Sequence, residues 1–252
     1  MKKITIVIPA LNEEKGIGAV LKEIPIDQFG KLGYETEVLV IDYESKDNTF
    51  QIARSHGATV IIQPIRGYGN AYKAGFANAT GDIIATGDAD STYPFSDLPE
   101  IIKKMEKEDL DFINTDRLTN LNKIAMSTSH QFGNRIFTIM LKVLFGWPYV
   151  DSQSGMWIFK RSIWKQLKVK SSGMPFSQEL KIEAYIRGFK CAEVPIKYRT
   201  RAGKEKLNTI NDGIGNILQL YSKWMTFLSE KIKNTTLVKS KFAISRILSL
   251  LT

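Results

Sequence analysis

Short apolar runs alternate with stretches of helical periodicity over the first two thirds of the chain. The runs have the length of buried strands and lie at 4–8, 38–41, 58–62, 83–86 and 111–115. Between them, apolar residues recur at helical spacing, so we predict helices at 17–24, 49–56, 71–79 and 96–107. This alternation predicts an α/β fold with a mostly parallel sheet flanked by helices.

The pattern changes after residue 117. We predict an amphipathic helix at 136–145, and then a strand, a helix and a strand at 154–159, 178–187 and 192–198. The basic segment 198–208 has little periodicity and is typical of a mobile loop, and a helix from about 210 to 230 follows it. The tail 231–252 combines apolar and basic positions, as in a helix lying on an anionic membrane; a docked or frayed terminal helix is the alternative.

The charge of the chain favours an anionic partner. Its 252 residues include 35 Lys and Arg against 26 Asp and Glu, a formal net charge of +9. The single cysteine, Cys191, excludes an internal disulfide and fits a reducing compartment. No uninterrupted apolar window approaches the ~18 residues of a spanning helix, so we expect any membrane contact to be peripheral.

Two carboxylates, Asp88 and Asp90, directly follow the apolar run 83–86. In an open parallel sheet, ligands bind at the carboxyl ends of the strands. A divalent cation that takes oxygen ligands binds well to one or two carboxylates together with substrate phosphates. This pair therefore indicates a metal that grips a diphosphate, and two solvated carboxylates in a turn are the alternative.

Three other polar stretches follow predicted strands, at 9–14, 42–49 and 66–71. All of them are expected at the same edge of the sheet, where a nucleotide can bind. Asp42 ends its strand, and we predict that it contacts a ligand rather than capping a helix. Asp47 directly precedes a helix, and we predict that it is a cap.

Together these motifs resemble the family 2 glycosyltransferases of the GT-A fold, and within them the polyprenyl-phosphate (dolichyl-phosphate) hexosyltransferases. The resemblance spans roughly residues 4 to 225. The opening V-I-P-A-L-N-E-E is similar to the family's V-I-P-x-x-N-E, and the segment 42–49 resembles D-D-x-S-x-D-x-T. The other matching motifs are R-G-Y-G at 66–69, T-G-D at 80–82, D-A-D at 88–90, D-S-Q-S-G at 151–155, and V-P with R-A-G-K-E-K-L at 194–207.

The resemblance implies a GT-A catalytic domain over 1–230, followed by the tail 231–252, and a hexose moved from a nucleotide-sugar. It implies Mg2+ or Mn2+ held by Asp88 and Asp90. It also implies that the nucleoside is contacted by Pro9, Leu11, Glu13 and Asp42. Arg117 and Arg135 would bind the acceptor phosphate. Arg201 and Lys206 would belong to a loop that closes over both phosphates. Arg135 as a surface charge, and 199–206 as a solvated loop, are the alternatives.

The chain departs from the family pattern at Tyr43, where relatives have a second aspartate, and at Glu44. The nucleotide therefore stays open between UDP and GDP. Some relatives also continue into transmembrane helices, whereas this sequence stops at Thr252. Either the protein is a short peripheral member, for which we expect a position on the cytoplasmic face of a membrane, or the natural protein is longer.

The implied acceptor, a polyprenyl or dolichyl phosphate, determines what chemistry the protein must supply. A phosphate monoester has its second pKa near ~6, so it needs positioning more than deprotonation. We therefore predict direct displacement with inversion and without an essential base. Asp151 is the candidate base if one is needed, and a structural carboxylate that caps the following turn is the alternative.

Three other functions remain open at this point. A sugar hydroxyl or a protein side chain would be an acceptor that does require a base. A sugar-nucleotide pyrophosphorylase is disfavoured, because the segment after the first strand has no glycine-rich phosphate loop. A non-catalytic basic binding module is the last, but the basic residues do not interleave with aromatics on one stripe, so we expect no nucleic acid partner.

Overall fold

The computed structural model describes residues 1–120, 126–203 and 209–248, without the side chains of residues 129, 209–212 and 234–248. Its centre is a seven-stranded sheet in the order β3-β2-β1-β4-β6-β5-β7. The strands are β1 (Lys2–Ala10), β2 (Tyr34–Asp42), β3 (Thr59–Ile62), β4 (Ile83–Thr86), β5 (Phe112–Asp116), β6 (Trp157–Lys160) and β7 (Cys191–Pro195). All the predicted strands are therefore present.

Helices flank this sheet, as the alternation predicts. They are α1 (Ile17–Glu23), α2 (Ile26–Lys31), α3 (Thr49–Ser55), α4 (Tyr68–Asn78), α5 (Leu98–Lys107), α6 (Thr128–Phe145), α7 (Arg161–Trp164), α8 (Phe176–Ile186) and α9 (Thr209–Leu248). Two of the short helices, α2 and α7, were not predicted. A single turn or two of helix shows too little periodicity to be detected in the sequence.

Both faces of the sheet are buried. On β1, Ile4, Ile6 and Ile8 point to one face and pack with α1 and α5. Val7 points to the other face, where Tyr72 of α4 belongs to the same cluster. Successive side chains of a strand point to opposite faces, so β1 is apolar from Ile4 to Ala10 except at Thr5, because each face has its own helical layer.

One strand, β6, runs against the others. It pairs antiparallel with β4, with Ile84 opposite Phe159, and with β5, with Ile113 opposite Ile158. The remaining pairs are parallel, so the sheet is mostly parallel as predicted. Because β6 is reversed, the turn 151–156 that precedes it lies at the edge where the parallel strands end.

A third apolar cluster joins the C-terminal helices. Leu141 and Phe145 of α6 pack with Ile182 of α8 and Leu220 of α9. The predicted C-terminal helical extension is present as α9, which continues past residue 230 to Leu248. The division at residue 230 stays a prediction, and the side chains of the predicted tail lie outside the described residues from 234 onwards.

None of the helices in the described ranges combines the length and the hydropathy needed to cross a bilayer.

Candidate active site

The polar motifs meet at one edge of the sheet. β1 lies between β2 and β4, so the strand order reverses beside it, and that is where open α/β sheets bind ligands. The loops after β1, β2, β4 and β5 all leave the sheet at this edge, and the turn before β6 enters there. The predicted convergence of these motifs on one edge is therefore what the fold produces.

The two carboxylates after β4 have different surroundings. Asp90 is buried, and it accepts hydrogen bonds from the backbone N–H of Thr92 (3.1 Å) and from the Thr92 hydroxyl (2.6 Å). Asp88 is partly exposed, and the Tyr68 hydroxyl donates to it at 3.4 Å. Burial, and after it the neighbouring Asp90, raise the pKa of Asp88 to about 7, although Arg201 and Arg117 act in the opposite direction.

The loop after β1 packs directly on this turn. A Cβ on Gly16 would lie 2.4 Å from the carbonyl oxygen of Ala89, so only glycine allows the two backbones to approach so closely. The loop is also tied to α3, because the backbone N–H of Glu13 donates to the Thr49 hydroxyl at 2.7 Å. Glu13 is buried and faces the Asp88–Asp90 turn from the β1 side.

The basic segment after β7 lies across the same turn. Arg201 Nη2 lies 3.2 Å from Asp90 Oδ2 and 3.2 Å from Glu13 Oε1. The Ala202 N–H donates to the Asp90 carbonyl at 2.8 Å. Burial alone would lower the pKa of Arg201, but Asp90 and Glu13 raise it, so the guanidinium is charged.

A second charged pair joins β5 to the turn before β6. Arg117 donates to Asp151 from Nε (2.7 Å), from Nη2 (3.0 Å) and from its backbone N–H (3.0 Å). The Gln153 N–H also donates to Asp151, at 2.9 Å. Burial would raise the pKa of Asp151, but Arg117 holds the pKa below its usual value. These are the contacts of a structural carboxylate, and they leave it poorly suited to act as a base.

The carbonyl of Ser154, in the same turn, accepts three hydrogen bonds. The donors are the Trp157 indole (2.7 Å), the Lys181 ammonium (2.8 Å) and the Ser177 hydroxyl (3.1 Å). Lys181 lies on α8 and is fully buried, and this burial lowers its pKa to about 7. The turn is thus anchored from β6 and from α8.

Hydroxyl groups connect this turn to Asp88. A Cβ on Gly155 would lie 2.7 Å from the Tyr68 hydroxyl, and the Gly155 N–H donates to the Tyr93 hydroxyl at 2.6 Å. The Thr86 hydroxyl accepts from the Trp157 N–H (2.8 Å) and donates to the Gly155 carbonyl (3.1 Å). Because Thr86 ends β4, this hydroxyl links the strand before Asp88 to the turn that holds Asp151.

The structure brings two groups of predicted residues together. The pKa of Asp88 is shifted by the nearby charges of Asp90, Arg201 and Glu13, and Arg117 forms an ion pair with Asp151. Asp42 is buried and accepts from the Ser45 N–H at 3.1 Å, which is the contact of a turn cap, so its predicted ligand contact stays a prediction.

The roles predicted for Pro9, Leu11, Arg135 and Lys206 stay predictions. Pro9 and Leu11 are partly buried at the end of β1 and in the loop after it, where nucleoside contact remains a prediction. Arg135 is exposed on α6, and its predicted phosphate contact is untested. Lys206 lies outside the described residues. The predicted cap Asp47 accepts from the Thr49 N–H, the first residue of α3, at 3.0 Å.

The carboxylates are suited to a divalent cation that also binds phosphate oxygens. Within the described residues, no group of three or more His, Cys, Asp or Glu side chains could hold a metal by itself. Mg2+ needs only one or two carboxylates when substrate phosphates supply further ligands. Burial and the neighbouring carboxylate of Asp90 raise the pKa of Asp88, which means that they disfavour its ionised form. A bound cation would stabilise that ionised form.

Sequence reasoning did not identify Lys181 or Thr86 as site residues. Lys181 lies in a helix whose charged residues suggest a solvated surface, and Thr86 ends an ordinary apolar run. Tyr68 did carry a signal, since it belongs to the R-G-Y-G motif after β3.

Solved structures show which fold this architecture belongs to. Glucosyl-3-phosphoglycerate synthase from Mycobacterium tuberculosis, in complex with Mn2+, UDP and phosphoglyceric acid, matches with a TM-score of 0.71 at 22% identity, covering 88% of this chain and 78% of that chain. A complex of the same synthase with Mg2+ and UDP matches with a TM-score of 0.65. The fold is that of the GT-A glycosyltransferases.

Residues 5–168 match the family described as Glycosyl transferase family 2. The dolichyl-phosphate hexose transferase of Haloferax volcanii is 34% identical over 83% of this chain and 89% of its own length. The low-salt glycan biosynthesis hexosyltransferase Agl6 of the same organism is 35% identical over 83% of this chain, which spans about half (51%) of that relative. The chain belongs to glycosyl transferase family 2 and is a glycosyltransferase, so the predicted resemblance is confirmed.

Proposed function

We propose that this glycosyltransferase moves a hexose from a UDP- or GDP-sugar to a polyprenyl phosphate such as dolichyl phosphate, with inversion at the anomeric carbon. The similarity to a dolichyl-phosphate hexose transferase supports this acceptor. The complexes of the structural neighbour with UDP support a nucleotide donor.

The proposal rests on the hydrogen bonds that Asp151 accepts from Arg117. A hydroxyl acceptor requires a general base, and the carboxylate best placed by sequence for that role makes two side-chain hydrogen bonds to Arg117. Its pKa lies below the usual value, which weakens it further as a base. A phosphate acceptor is already ionised at neutral pH, and this site suits it because positioning is what it needs.

On the donor side, Asp88 and Asp90 would hold Mg2+ or Mn2+, which would neutralise charge on the departing diphosphate when bound. Arg201 is the described cation nearest to these carboxylates, at 3.2 Å from Asp90. Its planar guanidinium suits bidentate binding to a phosphate. Lys206 is assigned to the same closing segment by family resemblance.

On the acceptor side, Arg117 and Arg135 would hold the lipid phosphate. Asp151 engages Nε and Nη2 of Arg117, so Nη1 is the nitrogen that we assign to the phosphate. The Tyr198 ring lies 5.3 Å from the guanidinium carbon and fixes its plane from the β7 side. With the phosphate positioned in this way, one of its oxygens would attack the anomeric carbon while the bond from that carbon to the nucleoside diphosphate breaks and the diphosphate departs.

A lipid acceptor requires contact with a membrane, and the C-terminal helices offer an apolar surface for it. Exposed apolar side chains form one stripe on α6 and another on α9 between Ile214 and Ile232, each on the side away from the shared cluster of Leu141 and Leu220. The stripe residues are Phe132, Ile136, Ile139 and Val143 on α6, and Ile214, Ile217, Leu218, Tyr221, Met225 and Ile232 on α9.

The charges beside these stripes favour an anionic lipid surface. Arg135 and Lys142 are exposed on α6, whose sequence contains no acidic residue, and Lys231 and Lys233 are exposed on α9. Each basic residue near an anionic leaflet contributes about 1 kcal/mol to binding. We therefore propose a peripheral position on the cytoplasmic face of a membrane, with α6 and α9 against the lipid.

The direct test is transfer to a defined lipid. The purified protein is incubated with Mn2+, a panel of UDP- and GDP-sugars and a short polyprenyl phosphate, and mass spectrometry detects the glycosylated lipid. The matched control acceptor is the corresponding polyprenol, which differs by the phosphate alone. We expect product from the phosphate and none from the alcohol, with inverted configuration by NMR.

Transfer to the polyprenol, or to a sugar hydroxyl in place of the phosphate, would reject the proposed acceptor. Full transfer in excess chelator would reject the metal. Asp88→Asn should reduce transfer at least about 100-fold, because it removes a ligand that stabilises the leaving group.

A further inference from the structure

The guanidinium of Arg201 lies between Asp90, one of the two carboxylates of the proposed metal site, and the neighbouring carboxylate of Glu13. Its Nη2 is 3.2 Å from Asp90 Oδ2 and 3.2 Å from Glu13 Oε1, and the hydrogen bond from Ala202 to the Asp90 carbonyl holds the segment in place. A side chain assigned to a leaving phosphate is therefore engaged with Asp90, one of the two carboxylates that would bind the metal.

The guanidinium is also incompletely satisfied in this position. Its Nε is buried and has no hydrogen-bond partner among the described residues. An unpaired buried donor is unfavourable, so this arrangement is less stable than one in which a further acceptor is present. A diphosphate supplies several acceptor oxygens that match the planar geometry of arginine.

We propose that Arg201 is an internal counter-ion of the carboxylate cluster formed by Glu13, Asp88 and Asp90. Arg201 must leave this cluster before a divalent cation can bind, and it then binds the diphosphate of the donor instead. The inference rests on the proposed metal site at Asp88 and Asp90. Both cations compensate the same carboxylates, so Arg201 and the metal compete when no nucleotide is present. Once a diphosphate is bound, Arg201 pairs with the diphosphate and no longer competes with the metal, so the metal and the nucleotide each bind more tightly in the presence of the other.

This exchange gives Arg201 a role that a fixed phosphate ligand would not have. In the absence of nucleotide it weakens metal binding, and in the presence of nucleotide it strengthens the binding of both. Metal and donor would then load together, because each one removes Arg201 from a competing contact.

The neighbouring arginine provides a matched control. Arg199 lies two residues earlier in the same segment and pairs with Glu23 at 2.7 Å. Arg199→Gln removes the same charge from the same segment but leaves the contacts of Arg201 with Asp90 and Glu13 in place. Any effect of net charge alone will appear in both variants.

The test is a titration with Mn2+ in which electron paramagnetic resonance measures the free ion. Without nucleotide, we expect Arg201→Gln to bind Mn2+ at least about five-fold more tightly than the wild type. Arg199→Gln should stay within about two-fold of the wild type. With saturating UDP, and with GDP in parallel, the gain in Mn2+ affinity should be larger for the wild type than for Arg201→Gln.

A second measurement needs no variant. Phenylglyoxal modifies accessible arginines, and peptide mass spectrometry measures the extent at each position. Addition of Mn2+ alone should increase modification of Arg201 at least about two-fold, because it leaves its carboxylate partners, and should not change modification of Arg199.

The outcomes separate this inference from the function on which it rests. Equal or weaker Mn2+ binding by Arg201→Gln, with normal binding by the wild type, overturns the exchange and leaves the metal site standing. Unchanged or reduced modification of Arg201 on addition of Mn2+ also overturns it. If the wild type and both variants bind no Mn2+ with or without nucleotide, the proposed metal site and the exchange are both wrong.

Discussion

The buried ammonium of Lys181 makes the stability of the protein depend on pH. Burial lowers its pKa to about 7, whereas an unfolded lysine keeps a pKa near ~10.4. Between these values the unfolded chain binds a proton that the folded chain does not, so the contribution of Lys181 to stability rises with pH and is lost as pH falls towards 7. The slope is at most about 1.4 kcal/mol per pH unit.

Urea unfolding between pH 7 and pH 9.5 measures this contribution. The free energy of unfolding of the wild type should rise relative to that of Lys181→Met, which lacks the titrating group. Lys165 is exposed and lies before α8, so Lys165→Met serves as the control and should follow the wild type. Parallel curves for the wild type and Lys181→Met would contradict the prediction.

The Arg117–Asp151 pair predicts non-additive effects of substitution. Asp151→Asn leaves Arg117 buried without its counter-charge, which we expect to cost about 3–5 kcal/mol of stability. Replacing both residues, as Arg117→Met with Asp151→Leu, removes both charges and should cost less than the single change. Urea unfolding of the two variants tests this, and a larger loss for the double variant than for Asp151→Asn would contradict the prediction.

The same pair changes how an inactive Asp151→Asn protein must be interpreted. Loss of transfer would follow from the disturbed Arg117 even if no base were required. The sequence left Asp151 open between a base and a structural carboxylate, because the choice depends on a partner 34 positions away in the chain. Long-range pairing of this kind leaves no periodic pattern in the sequence.

At the scale of whole elements, α8 shows what periodicity cannot predict. The sequence predicts a helix at 178–187, and the structure has one at Phe176–Ile186. Its charged residues nevertheless face the interior: Lys181 donates to the Ser154 carbonyl, and Glu183 pairs with Lys223 of α9. A helix with this composition is expected on the surface, so its burial depends on partners that only the tertiary fold supplies.

The apolar stripe of α6 provides a test of the proposed contact with lipid. Ile139 is 60% exposed in the middle of the stripe, and Ile139→Asp should weaken binding to anionic vesicles about ten-fold, because it removes apolar contact and adds repulsion. Ile26 on α2 is 54% exposed but lies outside both stripes, so Ile26→Asp is the control with the same change of charge.

Co-sedimentation with phosphatidylglycerol vesicles measures both variants, and phosphatidylcholine vesicles measure the dependence on lipid charge. Equal losses for Ile139→Asp and Ile26→Asp would show that overall charge, rather than the α6 surface, determines binding.

At the scale of the molecule, the order of strands and helices could be predicted but the direction of β6 could not. The run 154–159 is apolar whichever way it runs, and its direction depends on how α6 returns the chain to the sheet. That direction matters for the site, because it brings the Asp151 turn to the edge that carries Asp88. The motifs indicated which segments belong to the site, and the sheet determines how they meet.

The Thr86 hydroxyl predicts a separation between binding and turnover. Thr86→Val keeps the shape but removes the hydroxyl that bonds Trp157 and Gly155, so the turn before β6 can shift relative to Asp88. We expect kcat to fall by about 10- to 100-fold, because small displacements of reacting groups are costly, with little change in the Kd for the sugar nucleotide. A matching rise in that Kd would instead place the effect in donor binding.

One hydroxyl on β4 thus joins the part of the site that we propose binds the nucleotide to the turn beside the proposed acceptor-phosphate residues. Chimeras that exchange segments between relatives should work when both β4 and the turn before β6 come from the same parent. A crossover between these two segments would combine halves that were each adjusted to a different partner. The two specificities are therefore best altered by changing residues within each half, while the junction between the halves is kept intact.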